Sequence, residues 1–457
     1  MRRGNMLIVN KGFKYTVSLS TLMLQLYIGL AFTLHLFIYG LSSNTYIASA
    51  LTLVLLYAVM KPVIKSSISI GFAFHWALAF LVMIFSYVFS YRSGVVLIDL
   101  IILLSGVVSA IAFSSDVRTY KGAIAYIKVL ALFFMSGVLL QRFIPSLYYN
   151  LIRLFPSRLY DVIRNSGEGA YRGFTTNTGF TVNYILVGIL AVISEGIVRD
   201  KWTVGEKILI TLMILAVIFT GKRGPILFFI IALIYCNLIP ARGAKRFKRF
   251  WSIFIGASII VILFLTFEDA LADIPIFGEV LNTINGIASG EDVTSGRTRL
   301  YAWALKLFLA HPIKGVGWGY FRRTVVGEIT RHTTLDVHNV YLQLLCETGI
   351  PGFAVFISIF ISNWVATKKA YCSCFVNKNS TLFSWRPVLL FSFVFQTYFL
   401  LYSLTGNPLY DQFYQIIYLF CCSITVAYKY LSVRSVSYSF EHNHVKSTIK
   451  NGTHVRI

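Results

Sequence analysis

The sequence predicts an all-α polytopic membrane protein with about twelve transmembrane helices and helical loops on the outer face. Hydrophobic residues make up 57% of the 457 residues, charged residues make up only 13%, and the mean hydropathy is +0.71. A soluble domain of this composition would expose large apolar surfaces to water. Apolar runs of roughly bilayer-spanning length recur near 20–41, 46–60, 70–90, 94–113, 123–140, 180–197, 208–219, 225–239, 251–267, 353–366, 387–404 and 413–428.

The N-terminal segment 1–19 is basic and precedes the first apolar run. Its Lys and Arg residues would suit a secretory signal peptide, but the run that follows is as long as a bilayer span and no small-residue cleavage site comes after it. We therefore interpret the run as a retained helix. It is the first of the helices predicted over 20–140.

Lysine and arginine residues in short loops predict the orientation, because basic short loops stay in the cytoplasm. The outer short loops hold few basic residues: Arg92 lies in one, Lys222 and Arg223 lie in another, and the loops near Asn44 and Asn407 contain none. We therefore expect both termini, including the tail 431–457, in the cytoplasm. With the N-terminus inside, the inner connections contain Lys61, Lys65, Arg118, Lys121, Arg199, Lys201, Lys207, the basic run 241–250, Lys368, Lys369 and Lys378.

The net charge of +23 is explained mainly by these basic helix ends, which rest on anionic lipid headgroups. Membrane lipids are thus the expected partners of the basic clusters. The charge gives no indication of a DNA or RNA partner.

Two long segments are predicted on the outer side. The segment 141–179 follows the first five helices, and 268–350 lies between helices 6–9 (180–267) and helices 10–12 (351–430). Clustered guanidinium groups facing a membrane suit a phosphate or pyrophosphate, because each donates two parallel hydrogen bonds. Ordinary surface ion pairs are the alternative for any single arginine. The first segment carries Arg142, Arg153, Arg158, Arg164 and the candidate substrate-binding residue Arg172.

Arg223 lies in the sequence TGKRGPILFF, between two short apolar runs. Gly221, Gly224 and Pro225 interrupt the backbone there, so the guanidinium group is predicted near the outer interface. An arginine close to hydrocarbon is costly unless it is paired or functional. We interpret Arg223 as functional, whereas Lys222 is expected to extend its ammonium group into the headgroup region.

The segment 268–350 is predicted to form a small helical subdomain. Thr294 or Ser295 is expected to cap a helix that begins near Gly296 and ends at His311 and Pro312. Apolar residues recur along it at helical spacing, at Tyr301, Leu305 and Phe308.

Gly315, Gly317 and Gly319 follow as a tight loop in which backbones can pack closely. The sequence GVGWG is not a dinucleotide-binding fingerprint, because it has neither the required spacing nor a preceding strand. Trp318 and Tyr320 are candidate substrate-binding residues. Their rings either stack on a sugar or pack in the core.

His338 is predicted at the outer start of a helix that ends at Gly349. A histidine can accept a proton near neutral pH, which suits activation of a sugar hydroxyl, and Asp336, Asn339 or Glu347 could orient its ring. A structural role is the alternative, and His311 and His332 lie in the same segment. Neither an HExxH motif nor a paired acidic motif is found in the outer loops, so no metal site and no cofactor are predicted.

The sequences GKRG, SGRTRLYAW, HPIKGVGWGYF and HNVYLQLLCETGIPG, between residues 221 and 352, resemble the bacterial O-antigen polymerase and O-antigen ligase superfamily. The resemblance implies a metal-independent glycosyltransferase of the C-type architecture in the bacterial inner membrane. It would act on undecaprenyl-pyrophosphate-linked glycans at the outer face. Arg223, Arg297 and His338 would be the catalytic residues. Arg299 is so close to Arg297 that either could bind pyrophosphate, and Asn339 is a further substrate-binding candidate.

Three functions are compatible with these observations. The first is a polymerase that joins lipid-linked repeat units with inversion at the anomeric carbon, with a chain-length regulator as an additional partner. The second is a ligase that transfers the finished glycan to lipid A core or to another acceptor. The third is a transporter of lipid-linked glycans, which is disfavoured because the polar residues lie in outer loops instead of mid-span.

Overall fold

The computed structural model describes residues 19–38, 67–89, 94–112, 116–164, 170–239, 278, 281, 289, 296–326, 328–330, 335–375 and 381–450. Over these residues the chain is helical, and its one β feature is an isolated bridge between Val326 and Thr330. The predicted all-α class is confirmed for this part of the chain.

Most of the described residues belong to helices that overlap the predicted apolar runs, but the helices over the runs 353–366 and 413–428 extend well beyond them, to Val340–Ser373 and Gln412–Lys450. Two 3-10 helices, Thr381–Trp385 and Pro408–Tyr410, precede the last two α-helices. In chain order the α-helices are α1 Leu19–Ile38, α2 Ser67–Phe89, α3 Gly94–Ala112, α4 Val117–Phe143, α5 Pro145–Ile152, α6 Ser157–Arg164, α7 Thr178–Arg199, α8 Val204–Phe219, α9 Arg223–Leu238, α10 Arg297–Ala310, α11 Phe321–Thr324, α12 Val340–Ser373, α13 Arg386–Tyr402 and α14 Gln412–Lys450.

Five of the described helices are long and apolar enough to cross a membrane, in α2, α4, α7, α12 and α14. Shorter apolar helices lie in α1, α3 and α9. The protein is therefore a multi-pass membrane protein. The predicted runs near 46–60 and 251–267 lie outside the described residues, so the number of about twelve helices stays a prediction.

The helices α7 and α14 lie at the centre of the bundle. In their apolar spans, 78% of the residues of α7 and 72% of those of α14 are buried, compared with 28% in α2. Aromatic rings connect these central helices to α1, because Phe32 packs against Tyr184 at 4.9 Å and against Phe413 at 5.1 Å between ring centroids. The lipid-facing helices and the central ones are thus distinguished by burial, as expected for a bundle in a bilayer.

Contacts between helix ends define two ends of the bundle. At one end, Oγ1 of Thr21 in α1 donates to Oγ1 of Thr119 in α4 at 3.4 Å. At the other end, which we call the loop end, the Tyr171 amide donates to the carbonyl oxygen of Phe219, and the Val340 amide donates to that of Ser403. Parts of both segments predicted on the outer side therefore lie together at the loop end.

The helix α10 confirms the helix predicted between Gly296 and His311, except for its cap. Its N-cap is Gly296 itself, with a φ of 78° and no side-chain capping bond. The predicted caps Thr294 and Ser295 lie outside the described residues. Glycine suits this position because left-handed backbone is strained for other residues.

The helix that starts near His338 was predicted to end at Gly349. In the structure this break is a kink inside α12. Gly349 has a φ of 64° and a ψ of −174°, and Pro351 follows it. Proline has no amide hydrogen for the helical ladder, and this backbone conformation is accessible essentially to glycine alone.

Candidate functional site

The glycine-rich loop packs against the kink of α12. The Val316 amide donates to the carbonyl oxygen of Cys346 at 2.9 Å, and the Gly317 amide donates to that of Glu347 at 2.9 Å. A Cβ atom at Gly315 would collide with the carbonyl group of Glu347. The expectation that these glycines permit close backbone packing is confirmed.

Glu347 organises this loop from inside α12. Its buried carboxylate accepts hydrogen bonds from the amides of Gly319 at 2.9 Å and Phe321 at 3.2 Å, and from Nε2 of Gln343 at 3.3 Å. The sequence suggested Glu347 as a residue that orients His338. In the structure its carboxylate instead accepts hydrogen bonds from the loop 319–321.

Trp318 lies in the core. It is fully buried, its amide donates to Oγ of Ser86 at 2.6 Å, and its Nε1 donates to Oδ2 of Asp99 at 2.9 Å. Its ring also packs against Tyr410, with 4.9 Å between centroids. Of the two roles that the sequence leaves open for Trp318, these hydrogen bonds and ring contacts support packing in the core. Tyr320 is half-buried.

Arg322 and Asp336 form an ion pair that the sequence analysis did not identify. Nε and Nη2 of Arg322 donate to the two carboxylate oxygens of Asp336 at 2.6 and 2.9 Å. Burial lowers the pKa of Arg322, but the hydrogen bonds to Asp336 and the negative charges of Asp336, Glu347 and Asp99 together outweigh it, so the net shift is upward. The pair fixes the segment that leads into His338. The sequence feature that could have indicated this ion pair is the pair of arginines, Arg322 and Arg323, shortly after the glycine-rich loop.

His338 occupies a strained position at the start of α12. Its φ is 58°, in the left-handed region, and its carbonyl oxygen accepts a hydrogen bond from the Tyr301 hydroxyl at 3.3 Å. The next residue, Asn339, caps α12 because its Oδ1 accepts from the Leu342 amide at 3.0 Å. Backbone strain at a non-glycine residue is often found at functional sites.

Two cationic side chains act on the half-buried imidazole of His338. Burial lowers its pKa below the ordinary value of 6.5, the positive charges of Arg297 and Lys222 lower it further, and Asp336 opposes them. The ring is therefore neutral at neutral pH and able to accept a proton. Lys222 is a residue that sequence reasoning assigned only to the headgroup region.

Arg297 is the first residue of α10 and is half-buried. Its Nη1 donates to the carbonyl oxygen of Thr405 at 3.1 Å. Arg299 is exposed. Of these two neighbouring arginines, Arg297 is the one whose charge acts on His338.

Arg223 begins α9, directly after the exposed Lys222. Three helices therefore begin near His338, namely α9, α10 and α12. The N-terminus of a helix carries partial positive charge, which favours anions. The Val340 and Leu342 amides of α12 are already bonded, to Ser403 and Asn339, so the charges of Arg297 and Lys222 are what make the surroundings of His338 suited to an anion.

Arg172 lies in the loop before α7. Its amide donates to Oε1 of Gln141 at 2.9 Å, and its Nη1 donates to the carbonyl oxygen of Thr176 at 3.2 Å. The neighbouring Tyr171 contacts Phe219, shortly before Arg223. The loop of Arg172 thus lies beside the start of α9, while the described bonds of Arg172 join it to α4 and to its own loop.

The principal candidate residues share the same degree of burial. His338, Arg297, Arg223 and Asn339 are half-buried, and the alternative histidine His311 is exposed. His332 lies outside the described residues. Within the described ranges, no three His, Cys, Asp or Glu side chains are grouped so that they could hold a metal ion.

The central part of the chain contains Arg223, Arg297 and His338. Residues 208–357 match the O-antigen ligase family. This match confirms the resemblance to the O-antigen polymerase and ligase superfamily that the sequence motifs carry. Together with the apolar helices, it supports a membrane role of the O-antigen ligase or polymerase type. No curated protein matches the chain.

Proposed function

We propose that the protein is a glycosyltransferase that polymerises undecaprenyl-pyrophosphate-linked repeat units at the outer face of the bacterial inner membrane. The observation that carries this proposal is the position of His338, whose neutral ring lies close to the charges of Arg297 and Lys222. A proton acceptor beside an anion-binding site is the arrangement that glycosyl transfer from a pyrophosphate requires.

Arg223 and Arg297 bind the pyrophosphate of the donor in this proposal. As the glycosidic bond breaks, negative charge grows on the leaving pyrophosphate. Donors that are already positioned stabilise that charge best in a partly dry site. The half-burial of both arginines supports this role, and so does the action of the Arg297 charge on His338.

His338 positions the acceptor hydroxyl and removes its proton. Its lowered pKa keeps the imidazole in the basic form at neutral pH. The acceptor oxygen then attacks the anomeric carbon opposite the pyrophosphate, and the configuration inverts. Pyrophosphate is a stable leaving group, so this reaction needs neither a general acid nor a metal, unlike hydrolysis of a glycoside.

A ligase is the second candidate, and the match of residues 208–357 to the O-antigen ligase family favours it. A ligase would use the same donor site but would transfer the glycan to lipid A core. A polymerase would accept a second lipid-linked repeat unit, and a chain-length regulator would be its expected partner. The two functions therefore differ in the acceptor alone.

A reconstituted assay distinguishes these functions. Purified protein would be supplied with labelled lipid-linked repeat units, with or without lipid A core. Longer lipid-linked chains in the absence of lipid A core indicate a polymerase, and label that appears only on lipid A core indicates a ligase. Recovery of unreacted donor with both acceptors would reject the enzymatic proposal.

A further inference from the structure

The turn between α13 and α14, residues 403–411, forms one wall of the candidate site. The Val340 amide donates to the carbonyl oxygen of Ser403 at 2.9 Å, and Nη1 of Arg297 donates to that of Thr405 at 3.1 Å. Further along, Nε2 of Gln415 donates to the carbonyl oxygen of Leu409 at 2.6 Å. The turn is thus fixed from both sides, and two of its anchors belong to the site.

Asn407 lies between these anchors. Both polar atoms of its side-chain amide are buried, and within the described part of the chain neither has a hydrogen-bond partner. The same holds for Oε1 of Gln412, at the start of α14. Buried polar groups are nearly always paired, because their desolvation is otherwise uncompensated. The unpaired amide of Asn407 lies two residues after Thr405, which Arg297 contacts, so a ligand in the candidate site is the partner that we consider for it.

Aromatic packing holds the turn directly before Asn407. The rings of Tyr398 and Tyr402 stack at 5.6 Å, and those of Tyr402 and Tyr414 also stack at 5.6 Å. The backbone of Gly406 lies so close to the Tyr402 ring that a Cβ atom would collide with it. The Asn407 amide is therefore presented from a rigid support, as binding groups generally are.

We infer that the Asn407 amide binds the first sugar ring of the lipid-linked donor, the ring attached to pyrophosphate, through two neighbouring hydroxyl groups. A carboxamide donates and accepts hydrogen bonds, and a pair of hydroxyls offers the matching acceptor and donor. A phosphate suits the amide less well, because it has no donor for Oδ1. The inference rests on the proposed function, since Arg297 contacts the same turn at Thr405.

The test compares two lipids on detergent-purified protein. The first is undecaprenyl pyrophosphate, and the second is the lipid-linked glycan extracted from the producing cells. Asn407→Leu should weaken binding of the glycan-carrying lipid by about tenfold or more, the effect of losing hydrogen bonds to substrate hydroxyls. Binding of undecaprenyl pyrophosphate and the melting temperature should not fall, because the amide has no bond to lose within the described protein.

Asn237→Leu is the matched control. Its Nδ2 donates to the carbonyl oxygen of Leu233 at 2.8 Å, near the end of α9 that is remote from Arg223. It should leave the affinity for both lipids unchanged. If Asn407→Leu does not fold, Asn407→Ala provides the same comparison without added bulk.

Unchanged affinity of the Asn407 variants for the glycan-carrying lipid would overturn the inference. An equal loss for both lipids, with a lower melting temperature, would also overturn it and indicate a structural role. Wild-type protein that binds undecaprenyl pyrophosphate but gains nothing from the glycan would reject the sugar contact alone. Wild-type protein that binds neither lipid would reject the proposed function itself.

Discussion

The guanidinium group of Arg297 donates a hydrogen bond to the carbonyl oxygen of Thr405, with 3.1 Å between the two atoms. This bond joins the start of α10 to the turn 403–411, which lies beyond the stretch that matches the O-antigen ligase family. The candidate site is therefore built from the matched region and from the last two helices together.

Replacing Arg297 should reduce glycan transfer far more than replacing Arg299. Arg297→Ala should abolish glycan transfer while membrane insertion persists, because a preorganised donor is lost, typically a loss of a hundredfold or more in rate. Arg297→Lys should restore activity only in part, since an ammonium group cannot make a bidentate contact. The exposed Arg299→Ala is the matched control in a transfer assay, and equal loss in both Ala variants would contradict the assignment to Arg297.

Replacement of His338 separates a catalytic role from a structural one. His338→Ala should bind the lipid-linked donor normally but lose turnover by roughly a hundredfold or more, the scale of a positioned general base. Donor affinity, melting temperature and transfer rate should be measured on the same purified variant. A folded variant with near wild-type turnover would transfer the role to His311 or His332.

Removal of the Lys222 charge should shift the pH dependence of transfer. The pKa of His338 is lowered below 6.5 by burial and by the charges of Arg297 and Lys222. Activity requires the neutral ring, so it should be complete at neutral pH and fall only as the pH drops through this lowered pKa. Lys222→Met removes one of the charges and should raise that pKa, so the acidic limb of the rate profile moves to higher pH. An unmoved limb in the Lys222→Met profile would argue against protonation of His338 as its cause.

Gly349 should tolerate no side chain. Gly349→Ala places a Cβ atom against the carbonyl group of Ile313 at a φ of 64°, and the strain and collision should destabilise the protein by about 2–4 kcal/mol. Gly205→Ala is the matched control, because nothing lies within 4 Å of its added Cβ atom. Thermal unfolding in detergent measures both, and similar melting temperatures would show that the kink is not constrained.

Labelling of paired cysteine variants tests the orientation. Lys314 lies in the loop after α10, at the loop end, and Lys201 lies between α7 and α8, at the opposite end, and both are exposed. An impermeant thiol reagent applied to intact cells should label Lys314→Cys but not Lys201→Cys. The reverse pattern would invert the topology and reject an outer-face site.

The helices and their breaks could be predicted from the amino-acid sequence, because they depend on local properties. Hydropathy located the described spans, and Gly349 with Pro351 located the kink in α12, since a helix cannot continue normally through that pair. The motifs around Arg223, Arg297 and His338 could also be recognised in the sequence. The family match over 208–357 agrees with them.

The contacts between side chains from distant segments could not be predicted in this way. Trp318 could be assigned to the core only once Asp99 and Ser86, far away in the chain, were found to accept its hydrogen bonds. The effect of Lys222 on His338 and the contact of Arg297 with Thr405 likewise join distant segments. Such contacts depend on how the helices pack around one another, and a local sequence pattern does not contain that information.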